Sequence, residues 1–137
     1  MGRVFFNTRK NIVDVVAAKT ILPSDSGSIF MINQTSAYAM TLPAPADAQR
    51  GFNCEFIVGT IGSYANTITC PGTDLFHGFD IDMAAGAYGA TDNTGIDTIT
   101  LISGVAKGDR IVIECDGVSY YYVIHAAAAD HITVAAE

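Results

Sequence analysis

Polar and apolar residues alternate along most of this 137-residue chain, in short runs cut by Gly, Asn, Asp, Ser and Pro. A period of two sends successive side chains to opposite faces of an extended strand, so the pattern predicts many short, half-buried strands. Phe52, Cys54, Phe56 and Val58 hold alternate positions with Asn53 and Glu55 between them. Before that strand come residues 28–33 (SIFMIN) and 38–42 (YAMTL), opened by Ser24-Asp25-Ser26-Gly27 and closed by Pro43 and Pro45. Residues 66–70 (NTITC) are expected to pair back onto the Phe52 strand across the intervening glycines.

The last third is patterned most clearly. Residues 97–102 (DTITLI) precede a turn at Lys107-Gly108-Asp109, and residues 110–115 and 118–124 flank Asp116-Gly117. An Asp-Gly pair between two strand-like runs is a strong hairpin signal, because a type I′ turn needs φ > 0 at both central residues. Residues 131–135 (HITVA) predict a final edge strand. Helical periodicity is nearly absent, with single turns at most over 44–49 and 126–129, and residues 80–93, rich in Ala and Gly, read as a long loop. No tandem repeat or second domain is visible. The expected fold is all-β: a small antiparallel β-sandwich or barrel-like domain over residues 20–137, with an extended N-terminal arm over residues 1–19.

Composition sharpens this picture. Half of the residues are apolar and 15% are charged, against roughly a quarter charged in ordinary soluble domains. A small domain cannot hide that much apolar material alone, so part of it is expected to face other protein. The net charge of −7 argues against nucleic acid, since phosphate contacts need clustered Lys and Arg. The charge is also uneven. Arg3, Arg9, Lys10 and Lys19 against Asp14 give the first 19 residues a balance of +3, which leaves −10 on the remaining 118. That contrast suggests a partner for the arm, and a solvated tail is the plain alternative. No apolar stretch suits a membrane helix, and the early ones are broken by Arg9, Lys10 and Asp14, so neither membrane nor secretory signal is expected. Cys54, Cys70 and Cys115 form no CxxC pair and sit in strand-like contexts, where a buried, reduced thiol is the expectation.

Motifs for chemistry are missing. There is no GxSxG, no HExxH and no glycine loop for phosphate. Asp80 and Asp82 share a strand face with His77 nearby, but their spacing matches no calcium loop, so neither metal nor cofactor is expected. Cys115 and His125 offer a thiol and a base across the Asp116-Gly117 turn, yet alternation groups Cys115 with Ile111 and Ile113 in a dry core. Tyr120, Tyr121 and Tyr122 are the one aromatic run. Alternation sends Tyr121 to the face opposite the other two, and the run is a candidate interface. No catalytic residue is assigned, and the chain is expected not to be an enzyme.

From residue 21 onward the order of short motifs resembles small β proteins of tailed-phage virions. The pieces are Leu22-Pro23-Ser24-Asp25-Ser26-Gly27, Thr41-Leu42-Pro43-Ala44-Pro45-Ala46, Arg50-Gly51-Phe52, Phe56-Ile57-Val58-Gly59, Gly108-Asp109-Arg110-Ile111, Asp116-Gly117 and Tyr121-Tyr122-Val123. Head-decoration (cement) proteins are similar, as are modules of tail fibres. The family usually carries an aromatic, often Trp, after the Asp-Gly hairpin, where this chain has Tyr. The resemblance implies a homotrimer on the outer surface of the capsid, assembled in the host cytoplasm, with the major capsid protein as partner. It also implies an N-terminal arm that ties neighbouring capsid subunits. In that arm Val4, Phe5, Phe6, Ile12 and Val13 would add a strand to a capsid edge, with Arg9 and Lys10 supplying charge. The alternative is a receptor- or glycan-binding tail-fibre module.

Overall fold

The computed structural model describes residues 10–72, 75–82, 90–128 and 130–135. Over its first half the chain winds. The strands β1 (Ile12–Val15), β2 (Lys19–Thr20), β3 (Ile29–Asn33), β4 (Tyr38–Thr41), β5 (Asn53–Thr60) and β6 (Asn66–Thr69) fall alternately into two sheets. Within one sheet β1, β3 and β5 run parallel, and within the other β2, β4 and β6 do the same. Parallel neighbours cannot be joined by a tight turn. Here each crossover is made by the strand laid in the opposite sheet.

The corners of these windings are held by side chains. Gln34, only 2% exposed, leaves β3 and donates from Nε2 to the Ile102 carbonyl at 3.0 Å, while its Oε1 accepts from Gly62 N–H at 3.2 Å. Tyr38, which opens β4, donates its hydroxyl to the carbonyls of Val15 at 2.8 Å and Asn33 at 3.0 Å. A short helix α1 (Pro45–Ala48) with Pro at its start fills the link into β5.

The second half adds β7 (Phe76–Asp82), β8 (Ala90–Ile96), β9 (Thr98–Leu101), β10 (Arg110–Cys115), β11 (Tyr120–Ala126) and β12 (Ile132–Ala135). The larger sheet runs β1-β3-β5-β10-β11-β7-β8 and the smaller β12-β9-β6-β4-β2. Here the pairing is mostly antiparallel: β10 joins β5 and β11, β9 joins β6 and β12, and β7 joins β8. The exception is β7 beside β11, which is parallel.

The chain is thus all-β, and several expectations change. The sheets are mixed instead of antiparallel, and neither closes into a barrel among the described residues. Residues 66–69 pair with β4 and β9 instead of β5. Residues 80–82 and 90–96 are strand, not loop, because β11 templates β7 and β7 in turn templates β8. Residue 126 ends β11 and starts no helical turn. Of the segment expected to form an arm, residues 12–15 are paired with β3 and residues 19–20 with β4, so a boundary at residue 19 falls inside the sheets.

One buried cluster draws on both sheets. Phe30, Phe56, Ile111 and Ile124 stand in register across β3, β5, β10 and β11, all 0% exposed. Met40, Ile68 and Ile99 do likewise across β4, β6 and β9. Each such side chain contributes about 1.5–3 kcal/mol by leaving water, and Phe30 stacks on Phe56 at 5.2 Å between ring centroids.

Candidate functional site

The alternation that buries one face of the larger sheet turns the other outward, and that outer face is largely apolar. Following the register across the strands, one row holds Ile12, Ile29, Glu55, Val112, Val123 and Phe79. The next holds Asp14, Met31, Ile57, Arg110, His125 and Ile81. Eight of these twelve are apolar and all are at least partly exposed, Ile12 by 59% and Phe79 by 42%. An outer sheet face in a solitary domain ordinarily alternates apolar-in with polar-out. This one does not.

Its charges are few, and three of them group together. Glu55 bridges two cations, with Oε1 2.9 Å from an Arg110 guanidinium nitrogen and Oε2 3.3 Å from Lys10 Nζ. Lys10 thereby lies over the outer face, reaching from the approach to β1 past β3 to β5.

At the β10-β11-β7 end the face dips into a groove of about 370 Å³ lined by His77, Phe79, Val112, Glu114, Tyr121 and Val123, with Gly78 and Tyr122 beneath. The Tyr121 ring lies 6.0 Å from that of His77. Its hydroxyl donates to Asp116 Oδ2 at 3.1 Å, which fixes the ring's orientation. Asp116 belongs to the turn between β10 and β11. Its Oδ1 accepts from Val118 N–H and Ser119 N–H, both at 2.8 Å. Those two donors hold its carboxyl below the ordinary carboxylate range, and the hydrogen bond to Asp116 raises the phenol of Tyr121. Gly78 is required by packing: a Cβ there would meet the Tyr122 carbonyl oxygen at 2.1 Å.

The expected hairpin is present, with Cys115 opposite Tyr120, but its turn has four residues instead of two. Gly117 has φ +92°, whereas Asp116 does not enter the left-handed region and acts through its side chain, so the turn is not type I′.

Of the residues singled out from sequence, Val4, Phe5, Phe6 and Arg9 lie outside the described residues. Ile12 and Val13 are on the edge strand β1, Ile12 outward and Val13 half-buried. Among the three tyrosines only Tyr121 reaches the surface, 48% exposed. Tyr120 and Tyr122 are core residues, 0% and 2% exposed, and Tyr120 donates its hydroxyl to the Pro43 carbonyl at 2.7 Å. Phe79, Val112 and Val123 complete the groove and were missed, because pairing alone brings them beside Tyr121.

The weighed chemistry does not assemble. Cys115 and His125 sit at opposite ends of the β10-β11 ladder, the thiol buried and the imidazole exposed. His77 takes the strand face opposite Asp80, and no cluster of three metal-ligating side chains occurs among the described residues. All three cysteines are free and buried. Burial pushes the Cys70 thiol up to about 12 and Cys54 higher still, so neither is an activated nucleophile. One pair that sequence did not suggest joins distant loops. Asp109, 5% exposed, lies 2.7 Å through Oδ2 from His131 Nδ1 and accepts from Ala106 and Ala127 N–H, both at 2.9 Å. These contacts tie the entry of β10 to the loop before β12. No helix among the described residues is long and apolar enough to cross a membrane. No family model, curated protein or solved structure matches the chain.

Proposed function

We propose that this chain is a structural virion protein: a homotrimeric decoration (cement) protein on the outer surface of a tailed-phage head, with the major capsid protein as its partner. The observation that carries the reading is the apolar outer face of the larger sheet. Eight apolar side chains in two registered rows, on a chain with 15% charged residues, call for cover by other protein. Free, buried thiols suit assembly in the reducing host cytoplasm. In this reading the two sheets are the layers of a sandwich, and the chain carries no catalytic, cofactor or nucleic-acid site. The gripping arm is the part ahead of β1, since residues 12–15 are already bonded into the body.

A second reading, a receptor- or glycan-binding tail module, draws on the groove. An exposed tyrosine ring beside His77 and Glu114 offers a stacking surface with polar groups at its rim. Sedimentation separates the two readings. The purified chain is mixed with shells assembled from the capsid protein encoded beside its gene. Co-sedimentation at a saturating ratio of three chains per site is expected; chains that stay in the supernatant while adhering to host cells would favour the tail module.

A further inference from the structure

We infer that the chain docks on a second copy of itself through the outer face of β10 and β11, the basic end of that face on one copy meeting the acidic end on the next. The inference rests on the trimer proposed above and assigns its contact: three such head-to-tail contacts close the ring.

Charge is sorted along these two strands. Their outer face begins with Arg110 opposite His125 and ends with Glu114 opposite Tyr121, with Val112 opposite Val123 between them. At the first end Arg110 and His125 line a shallow depression of about 550 Å³ together with Lys107 of the preceding turn. Glu55 lies beside this end but is shared by two cations, Arg110 and Lys10. Asp109 is turned away: it is 5% exposed and its carboxylate is taken up by Ala106 N–H, Ala127 N–H and His131. At the other end stand Glu114 and Asp116, the latter bonded to the Tyr121 hydroxyl. Among the described residues neither Lys107 nor Glu114 has an ion-pair partner.

The two ends do not neutralise each other within one chain. Glu114 is four positions beyond Arg110, about 13 Å at ~3.3 Å per residue, and Arg110 turns to Glu55 instead. Between them the face is apolar, and Val112 belongs to the lining of both the basic depression and the groove beside Tyr121. Apolar contact there supplies strength, while the charges at the ends fix orientation. Copies stacked with like ends together would repel, so the favoured contact sets unlike ends together. A contact whose two sides differ closes into a ring when its rotation permits.

The chain itself supplies the acidic surface that its basic end requires. It holds fourteen acidic residues against seven Lys and Arg, and two of those seven line this one depression. A second copy therefore fits without any further partner.

Light scattering of four proteins tests this: the parent, Lys107→Glu, Glu114→Lys, and the chain carrying both changes. Both residues are exposed, so the variants keep their fold, and circular dichroism checks it. Each single variant sets like charges across every contact. It is expected to fall to the single-chain mass at concentrations roughly tenfold or more above those at which the parent does. The double variant exchanges the two ends and is expected to return to within about threefold of the parent. The single changes move the net charge of −7 in opposite directions and the double leaves it unaltered, so a loss shared by both singles is not an effect of net charge. Single variants that associate like the parent, or a double variant no better than the singles, overturn the inference and leave the trimer to another surface. A parent that stays a single chain overturns the trimer and the inference together.

Discussion

Residues 12–69 gain their neighbours by winding, whereas residues 110–126 gain theirs by folding back on a tight turn. In the wound half each strand pairs with one laid down a full circuit earlier: Ile12 with Ile29, then Ile29 with Glu55. In the hairpin half Cys115 meets Tyr120 across four residues. Windings place few demands on individual turn residues and many on packing, since register is fixed only when Phe30 and Phe56 bury together. The hairpin depends on one glycine and one carboxylate. β5 belongs to both, parallel to β3 on one side and antiparallel to β10 on the other.

That junction is where the largest effect is expected. Phe56→Ala removes a ring that is 0% exposed and stacked on Phe30, at a cost of about 3–5 kcal/mol. Urea unfolding followed by circular dichroism and by tyrosine fluorescence should give one shared transition. Two separated transitions would mean that the halves have separate cores.

Truncation comes next and divides the wound half from what precedes it. Removing residues 1–9 should leave the melting curve of the body close to that of the full chain. Removing residues 1–16 also strips β1 with Val15, 2% exposed, and should cost about 1.5–3 kcal/mol for that side chain alone. Equal melting temperatures for the two truncations would show that β1 adds nothing to the sheet.

A change in the hairpin should cost less. Gly117 holds φ +92°, and a Cβ there would meet nothing closer than Arg50 N at 3.4 Å, so Gly117→Val strains the backbone without a collision. The expected loss is about 1–3 kcal/mol. A variant that melts with the parent would place the turn elsewhere.

The last effect shows only at high pH, as a slope. Burial holds the Cys70 thiol neutral up to about 12, against an ordinary value of 9.0. A raised value in the folded state gives stability that is complete below pH 9 and lost as pH rises toward 12. Unfolding free energy should fall across that window, and Cys70→Ala should flatten the fall. An unchanged slope in that variant would mean that the thiol titrates alike in the folded and unfolded chains.

Legibility in the sequence follows the same division. The hairpin was readable because its signal is local: Asp116-Gly117 between two alternating runs. Inward positions were readable too, since Phe52, Cys54, Phe56, Val58, Ile111, Ile113 and Cys115 are all buried as alternation requires. The windings were not. Circuits of unequal length leave no fixed period, and a run such as residues 28–33 says nothing about which sheet it joins. The choice is made by packing between residues far apart in the chain, with Gln34 bonded to the Ile102 carbonyl and Tyr38 to that of Val15. Of the groove, alternation set Tyr121 apart from Tyr120 and Tyr122 without saying which face is outward, while Phe79 and Val112 joined it only through pairings of β7 and β10 with β11.

Whether other protein covers the outer face is the claim on which the functional reading stands. Static light scattering of the purified chain, from micromolar upward, tests it most directly. The account predicts a constant mass of about three times 14.4 kDa, falling to the single-chain value when Ile57→Glu and Val112→Glu place charge in the apolar rows. A parent chain that stays at 14.4 kDa over the whole range, soluble with its face uncovered, would contradict it.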